Sequence, residues 1–185
     1  SLTRKHTGPL AKWLLARRRA LAPEACRVIE KTPAHVFDLG LAALLIATPK
    51  IIHCYRDPMD TCLSIFTNAF AGQHAYAGDL RSIAAFASDV ARMMRHWKSM
   101  LPVHNVSYES LVEDSATVAS KMVAHIDLGW DDTILAYRSA NDPVATASRW
   151  QVRQPIYRTS IGRWKKYETF LSPLRDALEE FSEVN

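Results

Sequence analysis

The sequence has no apolar run long enough to cross a membrane. A helical span needs about 20 apolar residues, and the nearest candidate, residues 36–49, is shorter and contains Asp38. The first residues include neither a methionine nor an apolar signal core. We therefore expect no membrane span, and we expect the chain to be a processed product or an excised fragment.

Cysteine is also sparse, since the chain contains only three, Cys26, Cys54 and Cys62. They form no CxxC pair and no spacing typical of a metal site. We therefore predict no bound metal. We also expect three buried thiols in a reducing compartment, which favours a cytoplasmic location.

The length of 185 residues and a normal globular composition predict one domain over residues 1–185. Apolar residues make up 48% of the chain, which is enough for a sizeable core. A net charge of +4 permits an anionic ligand without identifying it. Basic residues cluster at 17–19, as on a solvated helix face, and again at 149–166. Nucleic acid is not expected as a partner, because a continuous basic face is interrupted by Asp38, Asp57, Asp60 and Asp79.

Strand-like and helix-like segments alternate along the chain. The predicted strands cover residues 26–29, 50–55 and 103–108. The predicted helices cover residues 10–21, 32–47, 79–101, 109–112, 116–126, 132–139 and 171–181, with one more beginning at Asp57-Pro58. This alternation predicts an α/β domain with a largely parallel sheet. Ligands bind at the carboxyl ends of the strands in such sheets, which points to Lys31, Arg56 and Tyr108.

Arg56 and Ser64 are the first candidate pair. Arg56 ends a buried strand, and its guanidinium offers a fork of donors that matches phosphate. Ser64 offers a hydroxyl on the helix that Asp57 caps and Pro58 begins. Two interpretations remain open. The pair holds a phosphate, or the arginine pairs with a carboxylate while the serine bonds to its own helix.

Three other features carry candidate chemistry. Tyr108 either packs on a base or belongs to a rim. Lys31, just before the helix that Pro33 begins, either faces an anion or is an ordinary surface lysine. Residues 146–167 alternate basic and aromatic side chains on a long loop, which is either functional or solvated with its tryptophans in the core.

An ordered set of stretches resembles the sulfotransferase superfamily. The resemblance is closest to a bacterial branch in which tetratricopeptide repeats often precede the catalytic domain, a branch similar to tyrosylprotein sulfotransferases. The matching stretches run from Lys31 to Trp164 and are KTPAHVFDLGLAALL, PKIIHCYRDPMDTCLS, RHWKSMLP, VSYESLVED, WDD, TASRWQVRQPIY and SIGRW.

The resemblance implies a fold and an activity. The fold would be a P-loop-NTPase-like parallel sheet flanked by helices. The enzyme would transfer a sulfuryl group from the co-substrate 3′-phosphoadenosine 5′-phosphosulfate (PAPS) to a hydroxyl-type acceptor, without a metal. The acceptor would be a protein, a peptide or a small molecule. The alternative is a non-catalytic module that binds a nucleotide or an acceptor.

The resemblance also implies roles for particular residues. Lys31 would lie near the transferred sulfuryl group and stabilise its developing charge. Arg56 and Ser64 would hold the 3′-phosphate of the cofactor, and Tyr108 would lie at its adenine end. Ser148 and Arg163 would belong to a late loop that covers the cofactor and contacts its phosphates.

Two departures from the family pattern qualify these expectations. The only early glycine is Gly8, so we expect the chain to lack the first strand, the glycine-rich phosphate loop and the catalytic base. Such a fragment would be inactive or weakly active alone. In addition, His35 stands where the bacterial relatives often have asparagine.

Overall fold

The computed structural model describes residues 4–68, 74–135 and 156–183. Its α-helices and β-strands are α1 (Arg4–Leu21), α2 (Leu39–Leu45), β1 (Ile51–Tyr55), α3 (Pro58–Thr67), α4 (Leu80–Met100), β2 (Val103–Ser107), α5 (Tyr108–Glu113), α6 (Ser115–His125) and α7 (Ser172–Glu183). Short 3-10 helices cover Pro33–Phe37, Ala75–Gly78, Asp132–Ile134 and Arg163–Phe170. No helix in these ranges is both long and apolar enough to cross a membrane.

The described chain forms two compact units. The first contains the chain up to Ile51 together with Val90–Pro102, and the second contains Ile52–Asp89 and the chain from Val103 onward. The boundary divides α4 between residues 89 and 90. The prediction of one domain over residues 1–185 stays a prediction.

Strands β1 and β2 pair in the second unit as a small parallel sheet. His53 Nδ1 and Asn105 Oδ1 lie 3.2 Å apart, and the Asp57 N–H donates to Glu109 Oε1 at 2.9 Å. Both pairs are separated by 52 residues in sequence, as a parallel register requires because neighbours then advance together. The expectation of an α/β fold is thus confirmed in outline, and its P-loop-NTPase-like details stay a prediction.

Helix α3 begins where its capping residues predict. Asp57 is the N-cap, its Oδ1 accepts the N–H of Asp60 at 2.9 Å, and Pro58 occupies the first turn. Proline suits this position because the N–H that it lacks would have no helical acceptor there. The cap therefore fixes the direction in which α3 leaves β1.

The core of the second unit lies between α3, α4 and α7. Its buried members are Met59, Cys62, Leu63, Ile83, Ala84, Leu171, Leu174 and Ala177. Burial, followed by the nearby Asp57 carboxylate, raises the pKa of the Cys62 thiol to about 12. This thiol therefore stays protonated at neutral pH and acts as an apolar core group.

In the first unit, Trp97 of α4 packs closely on α2. Its Nε1–H donates to the Val36 carbonyl at 2.6 Å, so the indole is held in place. A Cβ atom at Gly40 would lie 2.7 Å from the Trp97 Cη2 atom. Glycine is therefore required here by the close approach of the indole ring.

Three sequence expectations are wrong. Residues 26–29 form no strand, and Val28 and Ile29 are 52% and 85% exposed, since no neighbouring strand among the described residues pairs with them. The helix expected over residues 32–47 is broken at Asp38, whose φ of −113° and ψ of 6° interrupt the hydrogen-bond ladder. Cys26 and Cys54 are exposed rather than buried.

We expect Gly40→Ala to destabilise the chain by about 1–3 kcal/mol, the usual cost of overpacking. Alanine favours a helix over glycine by about 1 kcal/mol, but the hydrogen-bonded indole of Trp97 leaves no space for the methyl group. Thermal unfolding measures the change. Gly78→Ala is the control, because no described heavy atom lies within 4 Å of its added Cβ. Equal midpoints for the two variants would contradict the steric account.

Candidate functional site

A cleft of about 570 Å³ opens at the carboxyl ends of β1 and β2. The strands and α3 supply one wall, and the segment of residues 157–165, here called the late segment, supplies the other. The lining residues are Tyr55, Arg56, Asp57, Pro58, Asp60, Glu109, Ile161, Gly162, Trp164 and Lys165. Within the described ranges, no group of three or more His, Cys, Asp and Glu side chains could hold a metal ion.

Arg56, the residue after β1, is held on several sides. Its Nη2 lies 3.4 Å from Asp60 Oδ2 and donates to the Ser160 carbonyl. Its guanidinium carbon lies 5.1 Å from the centroid of the Tyr108 ring. Its Nε is buried and has no hydrogen-bond partner in the described part of the chain. The side chain is therefore fixed in direction and still has a buried donor to offer.

Asp60 is the most deeply buried carboxylate of the cleft, at 1% exposed. Its Oδ2 accepts the Gly162 N–H at 2.6 Å, and its Oδ1 accepts the Trp164 N–H at 2.9 Å. Gly162 has a φ of +66°, in the left-handed region that glycine adopts without strain. These bonds, with Arg56 nearby, compensate for burying a charge, and they hold the late segment against α3.

Glu109 links the two strand ends. Its Oε1 accepts the Asp57 N–H at 2.9 Å and its Oε2 accepts the Ser107 hydroxyl at 2.6 Å. Burial alone would raise the pKa of the Glu109 carboxyl, but these hydrogen bonds and the Arg56 charge outweigh it and lower the pKa. Glu109 is therefore ionised at neutral pH and adds negative charge beside the guanidinium.

Tyr108 connects β2 to the late segment. Its hydroxyl donates to the Tyr157 carbonyl at 3.3 Å, while its ring lies under Arg56. Arg56 follows β1 and Tyr108 follows β2, and both side chains donate hydrogen bonds to carbonyl groups of the late segment. The late segment is therefore attached to the ends of both strands.

The structure places the remaining predicted site residues as follows. Ser64 is half-buried on α3, its Oγ accepts from Asn68 Nδ2 at 3.2 Å, and it does not line the cleft. Arg163 is exposed, and its two chain neighbours are the residues whose N–H groups bond to Asp60. Lys31 is exposed in the other unit, and Ser148 lies outside the described residues. The roles assigned to all of them stay predictions.

Sequence reasoning did not single out Asp60 and Glu109 as residues of the cleft, and it included Lys165 only within the basic and aromatic loop of residues 146–167. The i,i+4 spacing of Arg56 and Asp60 was a usable signal for their ion pair. The strand register that brings Glu109 to Asp57 gives no local signal, because the partners are 52 residues apart.

The chain matches the model of the Sulfotransferase family over residues 3–132. It is also 35% identical, over 176 residues, to an "Uncharacterized protein" of Aquifex aeolicus (strain VF5). That alignment covers 92% of this chain and 23% of the relative. The chain thus spans less than a quarter of the length of this relative.

We expect Glu109→Gln to lower stability by about 1 kcal/mol at pH 7, since hydrogen bonds to a charged acceptor are stronger than neutral ones. The pKa of Glu109 is lower in the folded state than its ordinary 4.5. Its contribution is therefore present above pH 4.5 and lost as the pH falls through the lower folded value. Urea unfolding of both proteins across that range measures the difference.

The control for this series is Glu113→Gln, which neutralises an exposed carboxylate on the same helix. It should change stability by less than about 0.5 kcal/mol. A difference between wild type and Glu109→Gln that stays constant down to the acid limit would contradict the assignment.

Proposed function

Since the chain belongs to the sulfotransferase family, we propose that it is the nucleotide-holding part of an enzyme that transfers the sulfuryl group of PAPS to a hydroxyl-type acceptor. Family membership supports a transferase. The observation that carries the proposal is the placement of Arg56, which stands after a parallel strand, fixed by Asp60 and Ser160 and with Nε unpaired among the described residues.

The donor set of the cleft fits a phosphate group. Arginine donates through a planar fork that matches phosphate oxygens, and its charge strengthens each hydrogen bond. Lys165 lines the same cleft and adds a second cation. We assign the 3′-phosphate to Arg56 on this geometry and to Ser64 from the family alone, since Ser64 does not line the cleft. The pairing of Arg56 with Asp60 fixes the direction of the guanidinium without consuming all of its donors.

The remaining roles follow from the family and extend the proposal along the nucleotide. Tyr108 would contact the adenine end, and Ser148 and Arg163 would contribute from the covering loop. Lys31 would stabilise the negative charge that develops on the sulfuryl and bridging oxygens. The fold would then be the P-loop-NTPase-like one, with the nucleotide at the carboxyl edge of the sheet.

PAPS supplies an activated sulfuryl group when it is bound. The residues of this chain bind and orient the nucleotide, and fixed cations lower the energy of the charge that develops during transfer. The acceptor, which is a protein, a peptide or a small molecule, supplies the attacking hydroxyl. A second candidate is a module that binds the nucleotide without catalysis. It rests on the same Arg56 geometry and differs from the first candidate in that no sulfuryl group is transferred.

We expect the chain to bind adenosine 3′,5′-bisphosphate with an affinity of about millimolar to high micromolar. Arg56→Ala should weaken this binding about tenfold or more, because each charge-assisted hydrogen bond contributes about 1.5–3 kcal/mol. The affinity should also fall as salt rises. Calorimetry at two salt concentrations measures both effects, after circular dichroism shows that each variant is folded.

The matched control is Arg17→Ala, which removes an arginine from α1 in the other unit. Its affinity should equal that of the wild type. Adenosine, which has no phosphate, should bind more weakly than the bisphosphate. Equal binding of the two ligands, or wild-type affinity in Arg56→Ala, would exclude the 3′-phosphate assignment.

A further inference from the structure

We propose that Asp60 is a positioning residue that fixes the late segment across the guanidinium of Arg56. This inference rests on the proposed function only for its ligand. The positioning itself is read from the hydrogen bonds of a carboxylate that is 1% exposed. Asp60 precedes the late segment by about a hundred residues, since its partners Gly162 and Trp164 are 102 and 104 residues away.

The geometry uses both carboxylate oxygens. Oδ1 accepts one backbone N–H and Oδ2 accepts another, at 2.9 Å and 2.6 Å. The donors belong to Trp164 and Gly162, on either side of Arg163. A two-point attachment of this kind fixes the direction of the backbone as well as its distance. Lys165, the next residue along, lines the cleft.

Only an acidic side chain meets the requirements of this position. Both backbone partners are donors, and Arg56 Nη2 adds a third donor at 3.4 Å. A side-chain amide of the same shape would turn its own NH₂ group toward one of these donors. The mismatch would leave a buried N–H without an acceptor, which is unfavourable.

Arg56 extends the same attachment. It donates to the Ser160 carbonyl while it pairs with Asp60, and Tyr108 donates to the Tyr157 carbonyl. The late segment is therefore held along its length, by Tyr108 near its start, by Arg56 at Ser160 and by Asp60 beyond it. Of these contacts, Asp60 alone joins the segment to α3 and to the guanidinium at once.

Two roles for Asp60 predict opposite effects on anion binding. If Asp60 acted only by neutralising Arg56, removing its charge would strengthen the binding of an anion. If Asp60 positions the late segment and the guanidinium, removing its charge weakens binding, because the donors no longer point into the cleft. The sign of the change thus separates positioning from charge compensation.

The test compares Asp60→Asn with wild type in two measurements. Calorimetry with adenosine 3′,5′-bisphosphate should show binding about tenfold weaker or more. A tenfold loss corresponds to about 1.4 kcal/mol of binding free energy. Amide hydrogen exchange should show faster exchange at Gly162 and Trp164. Tighter or unchanged binding together with unchanged exchange would overturn the proposal.

Two controls separate positioning from general stability. Val36→Ala truncates a buried side chain of the first unit, which contains no residue of the late segment, and should leave both affinity and local exchange at wild-type values. Asp114→Asn makes the same substitution at the exposed cap of α6, and should do likewise. Either control matching the Asp60 variant in both measurements would overturn the proposal.

A second variant keeps the test decisive if Asp60→Asn does not fold. Gly162→Ala disturbs the attachment from the opposite side, because alanine disfavours a φ of +66°, while the Asp60–Arg56 pair is retained. It should weaken binding and speed exchange in the same way, and wild-type values would reject the inference. If wild type itself does not bind the bisphosphate, the proposed function fails, and the exchange measurement still decides the positioning role.

Discussion

The second unit depends on the burial of one negative charge. Asp60 has almost no contact with solvent, and an ionised carboxylate in such a place is costly unless several donors compensate for it. Here the donors are two backbone N–H groups of the late segment and the guanidinium of Arg56. The same bonds that make the charge tolerable also join distant parts of the chain around the cleft.

The elements that deliver these donors follow from local rules. Asp57 caps α3 and Pro58 starts it, so the helix leaves β1 in a direction that places Asp60 one turn after Arg56. The parallel register of β1 and β2 then sets Glu109 beside Asp57 and Tyr108 under Arg56. The cap of α3 and the register of the two strands thus determine where these side chains lie, and the cleft is formed at the carboxyl ends of the strands.

The elements with local signals could be predicted from the sequence, whereas the contacts between distant parts of the chain could not. The apolar periodicity of α4, the cap of α3 and the short apolar runs of β1 and β2 are local signals, and the corresponding elements are confirmed. Residues 26–29 carry the same kind of strand signal, yet a β-branched run becomes a strand only where a neighbour pairs with it. The partners of Asp60 lie 102 and 104 residues away, beyond the reach of any local pattern.

The family match and the cleft address different parts of the functional question. The match over residues 3–132 establishes the family, whereas the late segment, which forms one wall of the cleft, lies beyond that range. A structure of the chain with adenosine 3′,5′-bisphosphate bound would show which residues hold the 3′-phosphate. We expect the 3′-phosphate oxygens to lie within hydrogen-bond distance of the Arg56 guanidinium and the Ser64 hydroxyl. A phosphate held elsewhere, for example by the arginines at residues 17–19, with Arg56 still bonded only to Asp60 and Ser160, would contradict it.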